Sequence, residues 1–429
     1  MRWELLRRLP GTLYAAVTME LFERLAYYGM FLVLGIYLVR HVGIRADTYG
    51  LLISIFTAVL YFLPVFAGAL ADRFGYRPAL AVAFATLTAG YALLGATTRF
   101  GLICVALALI AAGGSVVKPT ISGTVTRTTE EGSTRPVGFG LYYMTINLGG
   151  LAGPVIAAQI RNRTEFRYVF YVSAAASAAM LLVNLLAYRE PVPAAERASG
   201  KTLPQVLGEM LTVLGDARFV TLLVIFSGFW GMINVLFGFM PLYVETFTDL
   251  SALERAVNRA IPLGHWLNPE VFVSLDAALI VLLQAAVSYL TRRWPTLRAM
   301  AVGTAVATAS WLLPALSPAA AVVAAGIAVW SLGEMVCSAR FFEHCGSVAP
   351  PDRVAVYLGY SFLSIFLGNL YSGAWAGFLY RRFIEAPVAA GAPPVPAAFF
   401  GGVMAMGALA TVGLVLLRGW ITAPRSGSR

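Results

Sequence analysis

The sequence predicts an all-α integral membrane protein with twelve transmembrane helices in two six-helix halves. Three observations predict it. The chain of 429 residues is 59% hydrophobic and 12% charged, whereas soluble globular chains carry about 25% charged residues. Apolar runs of about 20 residues recur from one end to the other, the length that crosses a bilayer. One polar stretch, residues 189–216, divides these runs into six and six.

The first apolar segment reads at 11–39, behind the basic stretch "MRWELLRRLPG". A cleaved signal peptide starts in a similar way. Charges inside the run, and the lack of a small-residue cleavage site soon after it, predict a retained helix instead. Segments two to six read at 48–71, 78–98, 100–125, 136–160 and 167–188. Segments seven to twelve read at 217–246, 270–291, 297–316, 318–348, 354–380 and 397–418. The predicted organisation is a bundle over 1–188, a cytoplasmic linker over 189–216 and a bundle over 217–429. "LADRFGYRPA" (70–79) and "LTRRWPTLRA" (290–299) follow the second helix of each half. This faint internal repeat suits a transporter built from repeated halves. The loop 247–269 contains "LSALERAVNRAI", a short amphipathic helix with Leu250, Leu253, Val257 and Ile261 on one side.

The net charge of +10 is spread through short loops, which argues for membrane orientation and against nucleic-acid binding. With the N-terminus inside, eighteen basic residues fall in the inner segments and ten in the outer ones. Both termini are therefore expected in the cytoplasm, with the chain crossing the cell (inner) membrane many times; the Ala- and Arg-rich composition suggests a bacterial source. Cys104, Cys337 and Cys345 have no CxxC spacing, and His41, His265 and His344 are scattered. Neither a disulfide framework nor a metal site is expected.

The informative residues are charges inside apolar helices. "MELFERLAYYG" (19–29) places Glu20, Glu23, Arg24, Tyr27 and Tyr28 at i, i+3, i+4, i+7 and i+8, one face of a helix. Each charge at mid-membrane costs about 2.5–3.5 kcal/mol on insertion scales, so this face must meet a water-filled cavity or partner charges. A static ion-pair cluster is the weaker reading, since buried pairs stabilise poorly compared with apolar packing; a substrate and proton site is the stronger one. In the fourth helix, "AAGGSVVKPTISG" sets Lys118 before Pro119, a proline that frees a backbone carbonyl. Lys118 is expected to pair with a carboxylate of helix 1, and protonation of that acid would dissolve the pair.

Tyr61, Gly68, Asp72, Arg73 and Arg77 lie on and just after helix 2, in "YFLPVFAGALADRFGYRPAL". Asn147 precedes Gly149 and Gly150 in helix 5, where glycines permit close helix packing. Glu334 sits in mid-helix 10, with Ser338 one turn on and Arg340, Glu343 and His344 toward a solvated end. Arg24 and Glu334 belong to opposite halves, charges suited to the two ends of a zwitterion. No Ser, His and Asp stand in a catalytic arrangement, so an enzyme is not expected.

Asp72, Arg73 and Arg77, in "GALADRFGYR", resemble the loop signature of the major facilitator superfamily, a conformational latch that also includes Gly68. Four further stretches resemble the proton-coupled oligopeptide transporters within it, as a divergent member. "ELFERLAYYG" is similar to E-x-x-E-R-F-x-Y-Y-G, "YYMTINLGGL" to F-Y-x-x-I-N-x-G-S-L, "GGSVVKPTIS" to G-x-G-x-x-K-P-N-x-S, and "GEMVCSARFFEHCGSVAP" to a G-E-x-x-x-S-P segment ending in A-P. "WLNP" before helix 8 also fits.

The resemblance implies the major facilitator fold and import of di- and tripeptides by alternating access, driven by a proton gradient with no cofactor. It assigns proton coupling to Glu20, Glu23, Arg24 and Lys118. It assigns substrate contacts to Arg24, Tyr27, Tyr28, Tyr61, Lys118, Asn147, Asn268, Glu334 and Ser338, and to position 234. The expected partners are a small peptide, protons and the bilayer, with the protein a monomer. Departures stand at Asn234, where the family has a glutamate, and at Ser361, Ala339 and Thr120. Asp276 in helix 8 is an unexpected acid, either a substitute for the helix 7 carboxylate or a local polar contact. These departures keep open a different small solute on the same fold (amino acid, peptide-like metabolite, nitrate or drug), with export as a possible direction.

Overall fold

The structure is a computed structural model and describes residues 7, 9–130, 134–198, 202–260, 265–350 and 353–422. Arg2, Arg8, Lys201, Arg425 and Arg429 of the orientation count, and Ile261 of the amphipathic loop helix, lie outside the described residues. Every regular element among those described is helical. Among the described residues eleven helices are long and apolar enough to cross a membrane, and a bent pair, counted as one span, makes a twelfth.

The spans are α1 (Gly11–Ile36), α2 (Ala46–Phe62 with Pro64–Phe74), α3 (Tyr76–Ala96), α4 (Phe100–Arg127), α5 (Arg135–Arg163) and α6 (Phe166–Leu186). They continue with α7 (Ala217–Phe247), α8 (Pro269–Val273 with Leu275–Thr291), α9 (Thr296–Ser310 with Leu312–Leu316), α10 (Ala320–Ser347), α11 (Val354–Tyr380) and α12 (Pro396–Leu416). The two parts of α2 meet at 40°. The bend falls at Leu63–Pro64, where proline has no N–H to donate back along the helix.

The linker departs from its polar reading. Leu203–Leu214 is an amphipathic helix, with Val206 and Val213 buried and Leu207 and Leu211 exposed. Periodicity at 203, 206, 207, 210, 211, 213 and 214 carries it, hidden by the Pro- and Ala-rich residues before it. Ser251–Ala260 forms the short helix expected in the outer loop. Its Glu254 accepts hydrogen bonds from the backbone N–H groups of Trp266 (2.8 Å) and Leu267 (3.0 Å) and meets His265 Nδ1 at 2.8 Å. Burial pushes the Glu254 carboxyl up, but these bonds outweigh it and hold the group below its ordinary value.

The chain forms two compact units. In the first, residues 1–37 and 59–208, α1 packs against α4, α5 and α6, and α3 packs between α4 and α6. In the second, residues 38–58 and 209–429, α7 packs on α11 and α12, α9 on α10 and α12, and α8 on α10. The second unit thus takes residues 46–58 of α2, which a division at 189–216 assigns to the first half. Close backbone approach is the reason: a Cβ on Gly50 would collide with the backbone of Gly373 and Gly377 on α11. Tyr49 donates to the Gly238 carbonyl at 2.8 Å, and Ser54 Oγ accepts from the Ala374 N–H at 2.9 Å. Asp47 pairs with Arg45 and Arg381.

Candidate functional site

The first cluster is built on α1. Glu20, Glu23, Arg24 and Tyr27 are buried and Tyr28 is half-buried, whereas Phe22 on the opposite face is 41% exposed. The polar face therefore points into the first unit, as the helical spacing predicts. Arg24 Nε lies 3.3 Å from Glu20 Oε1, and Arg24 Nη2 pairs with Glu23. The guanidinium also lies 5.5 Å from the Tyr27 ring centroid, within cation–π range. Tyr27 in turn stacks on Phe31 and meets Tyr28 edge-on.

Helix α5 closes one side of this cluster. A Cβ on Gly149 would strike Arg24 Cβ, and one on Gly153 would lie 2.8 Å from the Leu25 carbonyl oxygen. Only glycine lets the two helix backbones come this close, so the packing role expected of Gly149 is observed. Asn147 donates to the Tyr143 carbonyl at 2.8 Å on its own helix.

Lys118 differs from its expected pairing. Among the described residues it forms no ion pair with Glu20 or Glu23; its Nζ sits 5.3 Å from the Tyr61 ring centroid. Arg24 sits one turn from Glu20 on the same helix, the i,i+4 spacing at which side chains meet without the approach of a second backbone, and its long side chain also reaches Glu23. Lys118 remains near enough to act on Glu20 through its charge. Both Glu20 oxygens are buried, and Oε1 faces Arg24 Nε. Tyr91 and Tyr142, which the sequence reading missed, also lie within electrostatic reach of these charges.

At one end of the first unit, Asp72 and Arg77 hold the α2–α3 turn. Tyr76 donates to Asp72 at 2.8 Å, and Arg127 of α4 reaches Asp72 at 3.5 Å and Glu196 at 2.6 Å. Glu190 accepts from the backbone N–H groups of Tyr76 (3.0 Å) and Arg77 (2.8 Å), and Arg77 donates to the Leu185 carbonyl at 2.6 Å. Arg73 is exposed beside Phe74, and a Cβ on Gly68 would lie 3.6 Å from Pro119 Cβ. Glu190, Glu196 and Arg127 were not singled out from the sequence, since their partners are about 50–115 residues away.

The second cluster lies in the second unit. Asn234 on α7 is buried and donates to Ser372 on α11 at 3.0 Å. Asn268 opens α8 and is buried beside Glu270, 3.4 Å away. Glu334 is half-buried and accepts from the Trp330 indole N–H at 3.0 Å. Trp330 stacks on Phe229 and meets Trp311 edge-on, which fixes the direction of its donor. Ser338 is half-buried one turn on. Asp276 is buried against Ser331, 2.6 Å away on α10. Among the described residues no set of His, Cys, Asp and Glu is arranged to hold a metal ion.

Known proteins resemble this chain along most of its length. The Major Facilitator Superfamily model matches residues 17–373. The "Dipeptide and tripeptide permease A" of Chromobacterium violaceum is 30% identical over 169 residues, 39% of this chain and 34% of that permease. The same-named permease of Erwinia pyrifoliae is 26% identical over 414 residues, with 83% of each chain covered. "Multidrug resistance protein MdtH" of Yersinia pestis is 26% identical over 254 residues, 56% of this chain and 61% of that protein. Among solved structures, a POT family transporter in complex with 5-aminolevulinic acid superposes with a TM-score of 0.75 at 18% identity, covering 97% of this chain and 99% of that one. The chain belongs to the Major Facilitator Superfamily, a family of transporters rather than enzymes, and within it resembles the POT family peptide transporters.

Proposed function

We propose that this chain is a proton-coupled transporter importing small peptides by alternating access. The observation that carries the reading is the buried Glu20–Glu23–Arg24 face with Lys118 in electrostatic reach. Protonation of Glu20 or Glu23 loosens their hold on Arg24, which frees the guanidinium, with Lys118, for a substrate carboxylate. Glu334, its direction set by Trp330, takes the amino end, with Asn147 and Asn268 as further polar partners and Tyr27, Tyr28, Tyr61 and Ser338 around the side chains. The proton gradient supplies the energy, and no cofactor is required. The termini lie in the cytoplasm, and the protein works in the inner membrane as a monomer.

The test is uptake of a labelled dipeptide into proteoliposomes under an inward proton gradient. Accumulation that collapses with a protonophore supports the reading. No uptake, with no competition by a panel of di- and tripeptides, rejects it.

A second reading keeps the fold and changes the cargo to another small solute, exported rather than imported. It is favoured by Asn234 on α7 and by the similarity to a multidrug resistance protein. Efflux of a cationic dye from the same proteoliposomes, without peptide uptake, distinguishes it.

A further inference from the structure

Asp276 belongs to no motif that carried the reading above, yet its surroundings are specific. It is 1% exposed, in the first turn of the second part of α8. Its Oδ1 lies 2.6 Å from Ser331 Oγ, and that same hydroxyl lies 2.9 Å from the Ile327 carbonyl oxygen. A hydroxyl has one hydrogen to donate. Ser331 either divides that hydrogen between the two acceptors or, with Asp276 as a carboxylic acid donating to Ser331 Oγ, gives it whole to the Ile327 carbonyl; the second arrangement makes two full hydrogen bonds in place of one shared one.

The neighbours point the same way. Helix α10, which packs on α8, presents Glu334 three residues after Ser331, and Asp276 and Glu334 act on each other through charge. Beyond Glu334 on the same helix stands Cys337. Among the described residues no cation acts on Asp276, and neither acid has an ion-pair partner. Two carboxylates in apolar surroundings without a cation do not both stay ionised.

Resting on the proposed transport function, we infer that Asp276 is a second proton carrier, bonded to Ser331 and coupled to Glu334. With the proton on Asp276, Glu334 carries the charge that receives a substrate ammonium group. With Asp276 ionised, Glu334 takes up a proton and loses that charge. In each cycle the Asp276 O–H bond forms from a proton of the outer solution and breaks as that proton passes to Glu334; the Glu334 O–H bond so formed breaks in turn to water on the inner side, and no other bond changes.

Two measurements test this. Infrared spectra of the reconstituted protein without substrate read carboxylic-acid C=O bands directly. Asp276→Asn is expected to remove one band, and Ser331→Ala to shift it. Coincident spectra for the wild type and Asp276→Asn overturn the inference, whatever the protein carries. The second measurement is protons moved per dipeptide in proteoliposomes. Asp276→Asn is expected to lower the ratio by one, and the accumulation reached at a gradient of one pH unit by about tenfold, with recovery in Asp276→Glu. An unchanged ratio overturns the inference. If the wild type moves no dipeptide, the functional reading fails by itself, and the infrared result still decides whether Asp276 holds a proton.

Discussion

Arg24 and Glu20 are paired at 3.3 Å across one turn of α1, and the arginine serves Glu23 at the same time. One cation therefore balances two buried acids. Arg24→Ala removes the ion-pair partner of both and leaves Glu20 only the more distant charge of Lys118, a loss of about 3–5 kcal/mol. The expected outcome is a lower melting temperature in detergent and no peptide uptake. Arg24→Lys retains charge but not the fork that reaches two carboxylates, so uptake stays well below wild type while the melting temperature partly recovers.

Lys118 forms no ion pair among the described residues, so its removal is a functional test with small structural cost. Lys118→Ala is expected to abolish gradient-driven uptake with little change in melting temperature. Gradient-driven uptake that survives shows that the coupling set does not include this lysine.

Gly149 is the point where α5 touches Arg24. Gly149→Val forces the helices apart at that level, at a cost of about 1–3 kcal/mol for overpacking. Thermal unfolding checks the loss. Gly140, where a Cβ would meet nothing within 4 Å, is the control, and Gly140→Ala is expected to leave the melting temperature unchanged or slightly raised.

Glu254 gives a pH dependence whose sign follows from its bonds. Folding lowers its carboxyl below the ordinary value of 4.5. Its contribution is present above pH 4.5 and is lost as pH falls through the lower folded value. Hydrogen exchange at the Trp266 and Leu267 amides is expected to be slow at neutral pH and to quicken in that acid window. In Glu254→Ala, which removes the acceptor, it is fast at neutral pH too.

The spans were legible because lipid demands long apolar runs whatever the tertiary context. The segment expected at 78–98 is Tyr76–Ala96, and that expected at 397–418 is Pro396–Leu416. The charged face of α1 was legible for a related reason, since the helical period alone puts Glu20, Glu23 and Arg24 together. Partner choice was not legible. Local pairing inside α1 won over the pairing expected between Lys118 and a helix 1 acid. The partners Ser331 for Asp276, Ser372 for Asn234 and Glu190 for the α2–α3 turn are tens to more than a hundred residues away, and no local period encodes such contacts. The 203–214 helix was missed because a linker had been expected to stay polar.

The seam of Gly50 against Gly373 and Gly377 has a consequence for how the chain is put together. Residues 46–58 emerge from the ribosome early, but the furrow they fill on α11 is made some three hundred residues later. A nascent first half thus carries one bare glycine, Gly50, whose close-packed partners Gly373 and Gly377 arrive only near the end of synthesis. A fragment starting at 217 is born with an open slot, and adding back 38–58 by itself is the complement it lacks.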